Sequence, residues 1–269
     1  MKRIGLIAGN RNFPLLFSSR AKVKQPSLEI IAVAVKGETQ KRLSKIVDKI
    51  FWVDAGKVSR ALEIFLREKV EKIVLAGQIS PYRIFKDRKH WDELMRKIFK
   101  NISDFRPHSI FSEIIKEFES RGLSFINSIT FLEDYLVKEG INNNVKVDSS
   151  LEEEITKILP LARRIVDLDI GQTIVFKDKA VVAVEALEGT DNTIKRAYKI
   201  CGPGFLVVKL AKKEQDLRFD VPVIGFKTIK LLKNLGAKAF IGEKNKTLIL
   251  DKEKVLSVSK KVNIPLIGV

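Results

Sequence analysis

The feature that most constrains the fold is the alternation of short apolar runs with segments that have helical spacing. Apolar runs at residues 2–8, 29–35 and 72–76 have the length and composition of buried strands, and helical patterns separate them. Strands that alternate with helices are joined by crossovers and therefore form a parallel sheet. The first half of the chain is predicted to be an α/β domain.

The second half has a more mixed pattern and follows a clear linker. Gly140 and the three Asn residues at 142–144 have turn propensity and no periodicity. Beyond them, one hairpin is predicted around residues 177–179 and another between 239–241 and 247–250. The fold class is therefore α/β with two α/β domains, the first with a Rossmann-like parallel sheet and the second a smaller mixed α/β domain.

The domain boundaries follow from these patterns. We expect an amino-terminal domain at 1–135, a linker and connecting helix at 136–164, and a carboxyl-terminal catalytic domain at 165–269. The connecting helix is predicted to start at Ser149 or Ser150 as its N-cap, because a run of Glu follows in the first turn, where the helix dipole favours acids.

The net charge of the chain is strongly positive, but this charge alone does not identify a binding partner. There are 50 Lys and Arg against 33 Asp and Glu, which gives a formal net charge of +17. The basic residues are dispersed and alternate with acids, as on a solvated surface. No apolar run approaches the ~18 residues of a membrane span, and Cys201 is the single cysteine. We expect a cytoplasmic protein.

Two polar turns follow predicted strands in the first half. Gly9 and Asn10 come after the first strand, and Gln78 and Ser80 come after the strand at 72–76. Open α/β sheets bind ligands at the carboxyl ends of their strands, so both turns are candidates for substrate contact, although a purely structural turn explains them equally well. A standard NAD site is not expected, because Lys36 replaces the acid that would hold a ribose.

Two acidic segments in the second half contain the densest groups of candidate catalytic and metal-binding side chains. Residues 185–191 place three carboxylates and a glycine where a strand meets a helix, and residues 215–222 place two carboxylates around an arginine. Carboxylate oxygens suit Mg²⁺, which takes one or two protein carboxylates and completes its shell with water and phosphate. The composition of both segments therefore favours a functional role, with carboxylates that could bind Mg²⁺.

Each acidic segment also has a structural interpretation. Thr190 or Asp191 would cap the following helix, and Asp216 and Asp220 would be surface acids paired with Arg218. The residues alone leave these alternatives open, and they do not decide which carboxylate binds metal and which orients water.

Long motifs in the chain resemble a known family. They are DLDIGQ at 167–172, AVEALEGTD at 183–191 and QDLRFDVPVIG at 215–225. These motifs are similar to those of the UDP-2,3-diacylglucosamine pyrophosphatases of the LpxI type. The glycines at 5–9 and the Phe-Pro at 13–14 are similar to the amino-terminal motif of that family. The resemblance extends over nearly the whole chain.

The resemblance implies a hydrolase of lipid A biosynthesis in Gram-negative bacteria. Such an enzyme splits UDP-2,3-diacylglucosamine into UMP and 2,3-diacylglucosamine 1-phosphate (lipid X), with Mg²⁺ and by water attack at the sugar-side phosphorus. The implied partners are this lipid-linked nucleotide sugar and the anionic surface of the inner membrane, with no nucleic acid. The implied location is cytoplasmic and peripheral to the inner membrane, and the family is compatible with a homodimer.

On this basis we expect substrate in a cleft between the two domains and assign roles to individual residues. Catalysis and metal binding are assigned to Asp191, Asp216 and Asp220, with Glu188 as a supporting catalytic residue. Neutralisation of the diphosphate charge is assigned to Lys209 and Arg218. Further substrate contacts are assigned to Gly9, Asn10, Gln78, Ser80, Gly189 and Thr190.

Two other functional classes remain as alternatives. A basic nucleic-acid-binding module would use the net charge of +17, but it requires a contiguous basic stripe and exposed aromatic side chains. A soluble nucleotide-sugar binding protein or transferase would share the α/β plan without requiring the acids at 185–191.

Overall fold

The computed structural model describes residues 2–80 and 88–269. The chain forms two compact units that are not contiguous in sequence. The first unit contains Met1–Leu132 together with the short segment Asp216–Asp220, and the second contains Glu133–Gln215 and Val221–Val269. A piece of the carboxyl-terminal half therefore folds with the amino-terminal half.

The first unit is built on a parallel sheet of five strands in the order β3-β2-β1-β4-β5. The strands are β1 (Arg3–Ala8), β2 (Glu29–Val35), β3 (Lys49–Val53), β4 (Lys72–Ala76) and β5 (Ser124–Phe125). The helices are α1 (Phe13–Lys24), α2 (Val58–Arg67), α3 (Glu93–Asn101) and α4 (Pro107–Glu119). The predicted Rossmann-like parallel sheet is confirmed.

Helices α2, α3 and α4 cover one face of this sheet because their apolar residues recur at helical spacing. Phe65, Ile98 and Phe118 from the three helices are fully buried against Ile31 and Ile73 of the sheet. Burial of side chains of this size contributes roughly 1.5–3 kcal/mol each. This packing fixes the carboxyl ends of β1 and β4, where the two predicted polar turns lie.

The second unit contains a mixed sheet of six strands in the order β6-β13-β11-β9-β7-β8. Its strands are β6 (Gly140–Ile141), β7 (Thr173–Lys177), β8 (Ala180–Val184), β9 (Leu206–Lys209), β11 (Ala239–Gly242) and β13 (Leu266–Gly268). Strands β9, β11 and β13 are parallel, whereas β7 is antiparallel to both β8 and β9. The hairpin around residues 177–179 is thus confirmed, as is the mixed α/β class.

The hairpin predicted between residues 239–241 and 247–250 is wrong. Strand β12 (Leu248–Ile249) pairs in parallel with β10 (Val223–Ile224) in a separate sheet of two strands. The backbone N–H of Leu248 donates to the carbonyl of Pro222 at 2.8 Å. The backbone groups of β12 are therefore satisfied by the chain that returns from the segment Asp216–Asp220, and not by the preceding strand.

Four helices sandwich the sheet of the second unit. Helix α5 (Ser149–Asp167) lies on one face, against strand residues such as Leu206 and Val208. Helices α6 (Thr190–Cys201), α7 (Phe226–Leu235) and α8 (Lys252–Lys261) lie on the opposite face, against alternate residues of the same strands. The period-two alternation of apolar side chains along β7, β9 and β11 produces the two faces.

Helix α5 differs in two details from the sequence expectation. Its N-cap is Asp148, whose side chain accepts from Leu151 N at 2.7 Å, and not Ser149 or Ser150. Pro160, which is predicted from the sequence to kink or divide this helix, lies inside one helix that continues from Ser149 to Asp167. The predicted linker and connecting helix at 136–164 fall within the second unit. In the described ranges, no helix has both the length and the apolar content required to cross a bilayer.

Candidate functional site

The densest polar cluster of the second unit surrounds a buried lysine at the carboxyl end of β9. The side chain of Lys209 is only 8% exposed. Its Nζ donates to Thr173 Oγ1 at 3.1 Å and to Thr190 Oγ1 at 2.8 Å, and it lies 3.6 Å from Glu185 Oε2. A buried ammonium group is tolerated only when it is paired and hydrogen-bonded, and this cluster meets both requirements.

The strands themselves place these groups. Thr173 of β7 lies directly across from Lys209 in the antiparallel ladder. Glu185 follows the last residue of β8, and its backbone N–H donates to the carbonyl of Thr173 at 2.8 Å. A Cβ atom at Gly171 would lie 2.1 Å from the carbonyl oxygen of Glu185. Glycine is therefore required where the loop before β7 passes the backbone carbonyl of Glu185.

Glu185 has one carboxylate oxygen that accepts a hydrogen bond and one that only forms an ion pair with Lys209. Oε1 accepts from the hydroxyl of Thr190 at 3.0 Å. Oε2 is buried, and no hydrogen-bond donor from residues 2–80 or 88–269 reaches it. Buried polar atoms are rarely left without a partner, so such an atom indicates a place for a bound water, ion or ligand group.

Helix α6 begins beside this cluster and carries Asp191 in its first turn. Its N-cap is Gly189, with a positive φ of 79° and no side-chain cap. The structural interpretation in which Thr190 or Asp191 caps the helix is therefore wrong, because both side chains have other partners. Asp191 Oδ1 accepts from the hydroxyl of Thr228 on α7 at 2.8 Å. Within the described ranges this is the one hydrogen bond that the Asp191 carboxylate makes.

Glu188 braces the loop in front of α6. Its Oε1 accepts from Arg196 Nη2 at 2.6 Å and its Oε2 from Ala186 N at 3.1 Å. The hydrogen bond from Arg196 is the main reason why the pKa of Glu188 lies below its usual range. The carboxylate is thus ionised and held by cationic and amide donors, an arrangement that stabilises the loop Glu185–Gly189.

The second acidic segment, Asp216–Asp220, belongs to the first unit. The N–H of Ser128 donates to the carbonyl of Leu217 at 2.8 Å, and its hydroxyl donates to the carbonyl of Arg218 at 2.7 Å. The ring of Phe219 stacks on Phe111 with centroids 5.8 Å apart. Backbone hydrogen bonds and aromatic packing therefore fix this segment.

The carboxylate of Asp216 is committed to Arg218. Arg218 Nη2 donates to Asp216 Oδ2 at 2.8 Å, and Nε donates to Oδ1 at 3.0 Å. Burial raises the pKa of the Asp216 carboxyl, but the hydrogen bonds and charge of Arg218 outweigh it, so the net pKa lies below its usual value. Arg218 also pairs with Glu119 at 3.1 Å. For Asp216, the structure thus shows the ion pair with Arg218 that the alternative, structural interpretation of this segment predicts.

The two polar turns of the first unit lie against each other. Gly9 N donates to the carbonyl of Ala76 and Asn10 N to that of Gln78, both at 2.8 Å. A Cβ atom at Gly9 would lie 2.5 Å from the carbonyl oxygen of Gln78, so this close approach requires glycine. Gln78 is exposed and Ser80 is half-buried. The structure thus brings Gly9 and Asn10 against the backbone of Gln78.

Asn10 has an unsatisfied group in this turn. Its Nδ2 donates to Glu38 Oε2 at 2.9 Å, while Oδ1 is buried without a partner in the described part of the chain. The side chain is therefore held in place by Glu38, and its buried Oδ1 accepts no hydrogen bond from residues 2–80 or 88–269.

The predicted metal ligands are divided between the two units. Asp191 lies in the second unit, whereas Asp216 and Asp220 lie in the first. Among the residues that the structure describes, no group of three or more His, Cys, Asp or Glu side chains could hold a metal ion. Mg²⁺ requires only one or two protein carboxylates when a diphosphate supplies the other ligands. Asp191, with a single hydrogen bond, fits that role, and Asp216 fits it poorly because Arg218 occupies both of its oxygens.

Sequence reasoning did not assign Thr173 or Glu185 to the site. Glu185 was visible as an acid in the AVEALEGTD motif, and its position one residue beyond a buried strand was the available clue. Thr173 gave no such clue, because a β-branched residue at the start of a strand is expected for packing alone.

Two family models match consecutive parts of the chain. The LpxI N-terminal domain matches residues 3–135, and the LpxI C-terminal domain matches residues 138–267. The chain belongs to the LpxI family. The resemblance inferred from the motifs is thereby confirmed. The UDP-2,3-diacylglucosamine pyrophosphatase LpxI of Caulobacter vibrioides is 24% identical over 297 residues, which cover 100% of this chain and 98% of that protein.

Similarity of this LpxI-family chain to solved structures is weak. The biotin carboxylase domain of the 2-oxoglutarate carboxylase of Hydrogenobacter thermophilus aligns with 74% of this chain and 40% of that one, at 13% identity and a TM-score of 0.29. The E. coli heptosyltransferase WaaC aligns with 99% of this chain and 86% of that one, at 12% identity and a TM-score of 0.20. Similarities at this level carry no information about function.

Proposed function

We propose that this LpxI-family protein hydrolyses UDP-2,3-diacylglucosamine to UMP and 2,3-diacylglucosamine 1-phosphate in lipid A biosynthesis. The observation that carries the proposal is the match of both LpxI domain models in order, 3–135 and then 138–267. The full-length similarity to the pyrophosphatase of Caulobacter vibrioides supports it.

The cluster around Lys209 supports chemistry on an anionic substrate. The amino end of α6 has unsatisfied backbone N–H groups and the positive end of the helix dipole, both of which favour phosphate. Lys209 adds a fixed positive charge beside it and orients the hydroxyl of Thr190. In our proposal this end of α6 binds the diphosphate, with Gly189 allowing close approach of the backbone.

Mg²⁺ is proposed as the cofactor, with Asp191 as the residue that would hold it. When bound, the ion would neutralise charge on the diphosphate. The attacking water requires an acceptor for its proton while the bond between the sugar-side phosphorus and the UMP oxygen breaks. In the Lys209 cluster the candidate acceptor is Glu185 Oε2, which lies 3.6 Å from Lys209 Nζ and which no hydrogen-bond donor from residues 2–80 or 88–269 reaches.

The remaining assignments are part of the same proposal. Asp220 stays a prediction for metal binding, and Gly9, Asn10, Gln78 and Ser80 stay predictions for substrate contact. Asp216 and Arg218 are proposed to support the segment Asp216–Asp220 through their mutual ion pair. We also propose that the protein acts at the cytoplasmic surface of the inner membrane, where a diacylated substrate would reside.

The test is hydrolysis of labelled UDP-2,3-diacylglucosamine by the purified protein, with products separated by thin-layer chromatography. We expect UMP and 2,3-diacylglucosamine 1-phosphate in the presence of Mg²⁺ and none in the presence of a chelator. In ¹⁸O-labelled water the label should enter the sugar phosphate. Release of UDP, or equal hydrolysis of UDP-N-acetylglucosamine, would contradict the proposal. Either result would favour an enzyme whose substrate is a soluble nucleotide sugar.

A further inference from the structure

The two helical faces of the second unit differ sharply in charge. Helices α6, α7 and α8 together carry ten Lys and Arg and two Asp and Glu. Helix α5, on the opposite face of the same sheet, carries three Lys and Arg and four Asp and Glu. Among the helices of this unit, the basic residues are therefore concentrated on the face formed by α6, α7 and α8.

The cations on the two faces also differ in their partners. On α5, Lys157 pairs with Glu153, and Arg163 pairs with Glu243. On α6 to α8, eight lysines are exposed and have no carboxylate within ion-pair distance in the described ranges. These eight lysines are Lys195, Lys199, Lys227, Lys230, Lys233, Lys254, Lys260 and Lys261.

These lysines lie on one continuous layer of helices. The apolar sides of α6, α7 and α8 pack into a single core cluster, and the hydroxyl of Thr228 on α7 bonds Asp191 on α6. On α7 the lysines recur at positions 227, 230 and 233, which form one stripe along the solvent side. Ile200, 65% exposed on α6 beside Lys199, adds an apolar side chain to this face.

We propose that the outer face of α6, α7 and α8 docks on an anionic lipid bilayer. This inference rests on the proposed function, since a lipid-linked substrate requires contact with a membrane. Unpaired lysines are attracted to an anionic surface over about a Debye length, ~8 Å at physiological salt. Nucleic acid is the weaker match, because nine of the ten cations are Lys and Arg196 is the single Arg of these helices.

The test is sedimentation of the full chain with vesicles of phosphatidylglycerol in phosphatidylcholine. The test variant carries Lys227→Ala, Lys230→Ala and Lys233→Ala, which remove three charges from the stripe on α7. The control variant carries Lys146→Ala, Lys157→Ala and Arg164→Ala, which remove three exposed charges outside the layer. We expect the test variant to bind at least about tenfold more weakly than the parent and the control variant to bind nearly as well.

Equal loss of binding in both variants would overturn the proposal, because net charge and not this face would then be responsible. Unchanged binding of the test variant would overturn it as well. A mobility-shift titration with a short duplex DNA is run in parallel. Tighter binding to DNA than to vesicles, lost in the test variant, would reassign the face to nucleic acid.

Different measurements test the proposed function and the docking face, so a failure of one can be told from a failure of the other. Both variants keep the cluster around Lys209, so hydrolysis of substrate dispersed in detergent should match the parent in each. The test variant should be slower only when the substrate is embedded in vesicles. A parent protein that hydrolyses nothing would refute the proposed function, while the sedimentation experiment would still decide the docking face.

Discussion

The two acidic segments have similar composition in the sequence and different environments in the structure. In the segment 185–191, Glu185 keeps a buried oxygen without a donor, and Asp191 accepts a single hydrogen bond, from Thr228. In the segment 216–220, both oxygens of Asp216 accept from Arg218. An acid whose oxygens all accept hydrogen bonds from the protein stabilises the structure, whereas an acid with an oxygen that accepts none can still bind a ligand.

The largest effect is expected where a buried charge would lose its partner. Lys209→Met leaves the carboxylate of Glu185 buried without its cation, which should destabilise the protein by about 3–5 kcal/mol in urea unfolding. The double variant Lys209→Met with Glu185→Gln should recover a large part of that loss. The exposed Lys195→Met is the matched control and should change stability by no more than about 0.5 kcal/mol. Equal losses in Lys209→Met and Lys195→Met would show that the buried pair is not important for stability.

The next effect separates a metal-binding acid from a structural one. Asp191→Asn keeps the acceptor for Thr228 and removes a charged ligand, so turnover should fall by on the order of 10²-fold with an unchanged melting temperature. Asp220→Asn tests the corresponding assignment in the other segment and should have a similar effect. Parental turnover in a folded Asp191→Asn protein would remove Asp191 from the chemistry.

A smaller and pH-dependent effect is expected for Asp216. Its pKa is lower in the folded protein than its ordinary value of 3.8, so its contribution is present above that pH and is lost as the pH falls through the folded value. Asp216→Asn should therefore cost about 1 kcal/mol at neutral pH, and the difference from the parent should shrink below about pH 4. Urea unfolding at several pH values measures it. A difference that is independent of pH would contradict the ion-pair explanation.

The smallest effect is expected for Glu188, whose pair with Arg196 lies at the surface. Glu188→Gln should cost at most about 0.5–1 kcal/mol, and this cost should decrease in high salt because exposed pairs are screened. Turnover should stay close to that of the parent if Glu188 only braces the loop. A loss of turnover comparable to that of Asp191→Asn would support the predicted catalytic role of Glu188 instead.

The sequence predicted the α/β class because apolar periodicity is a local property. It did not predict that Asp216–Asp220 folds with the first unit, since the partners of this segment, such as Ser128, are remote in sequence. The same cause explains the wrong hairpin at 239–250, where the true partner of β12 is β10. The basic face was hidden as well, because lysines three or four residues apart appear dispersed until the helices are placed side by side.

The hydrogen-bond partners within the candidate site could not be predicted from the sequence either. The motifs located Thr190 and Asp191, but only the structure shows that the buried Lys209 donates to Thr190 and that Glu185 Oε2 accepts no hydrogen bond from the described residues. The distinction between Asp191 and Asp216 depends on hydrogen-bond partners, which composition does not reveal.

The most direct test of this account is the Mg²⁺ dependence of UDP-2,3-diacylglucosamine hydrolysis in the parent, Asp191→Asn and Asp216→Asn proteins. If Asp191 holds the ion and Asp216 holds Arg218, the Mg²⁺ concentration for half-maximal rate should rise in Asp191→Asn and stay at the parental value in Asp216→Asn. A rise confined to Asp216→Asn, or an equal rise in both variants, would contradict the central distinction between Asp191 as a metal-binding acid and Asp216 as a structural one.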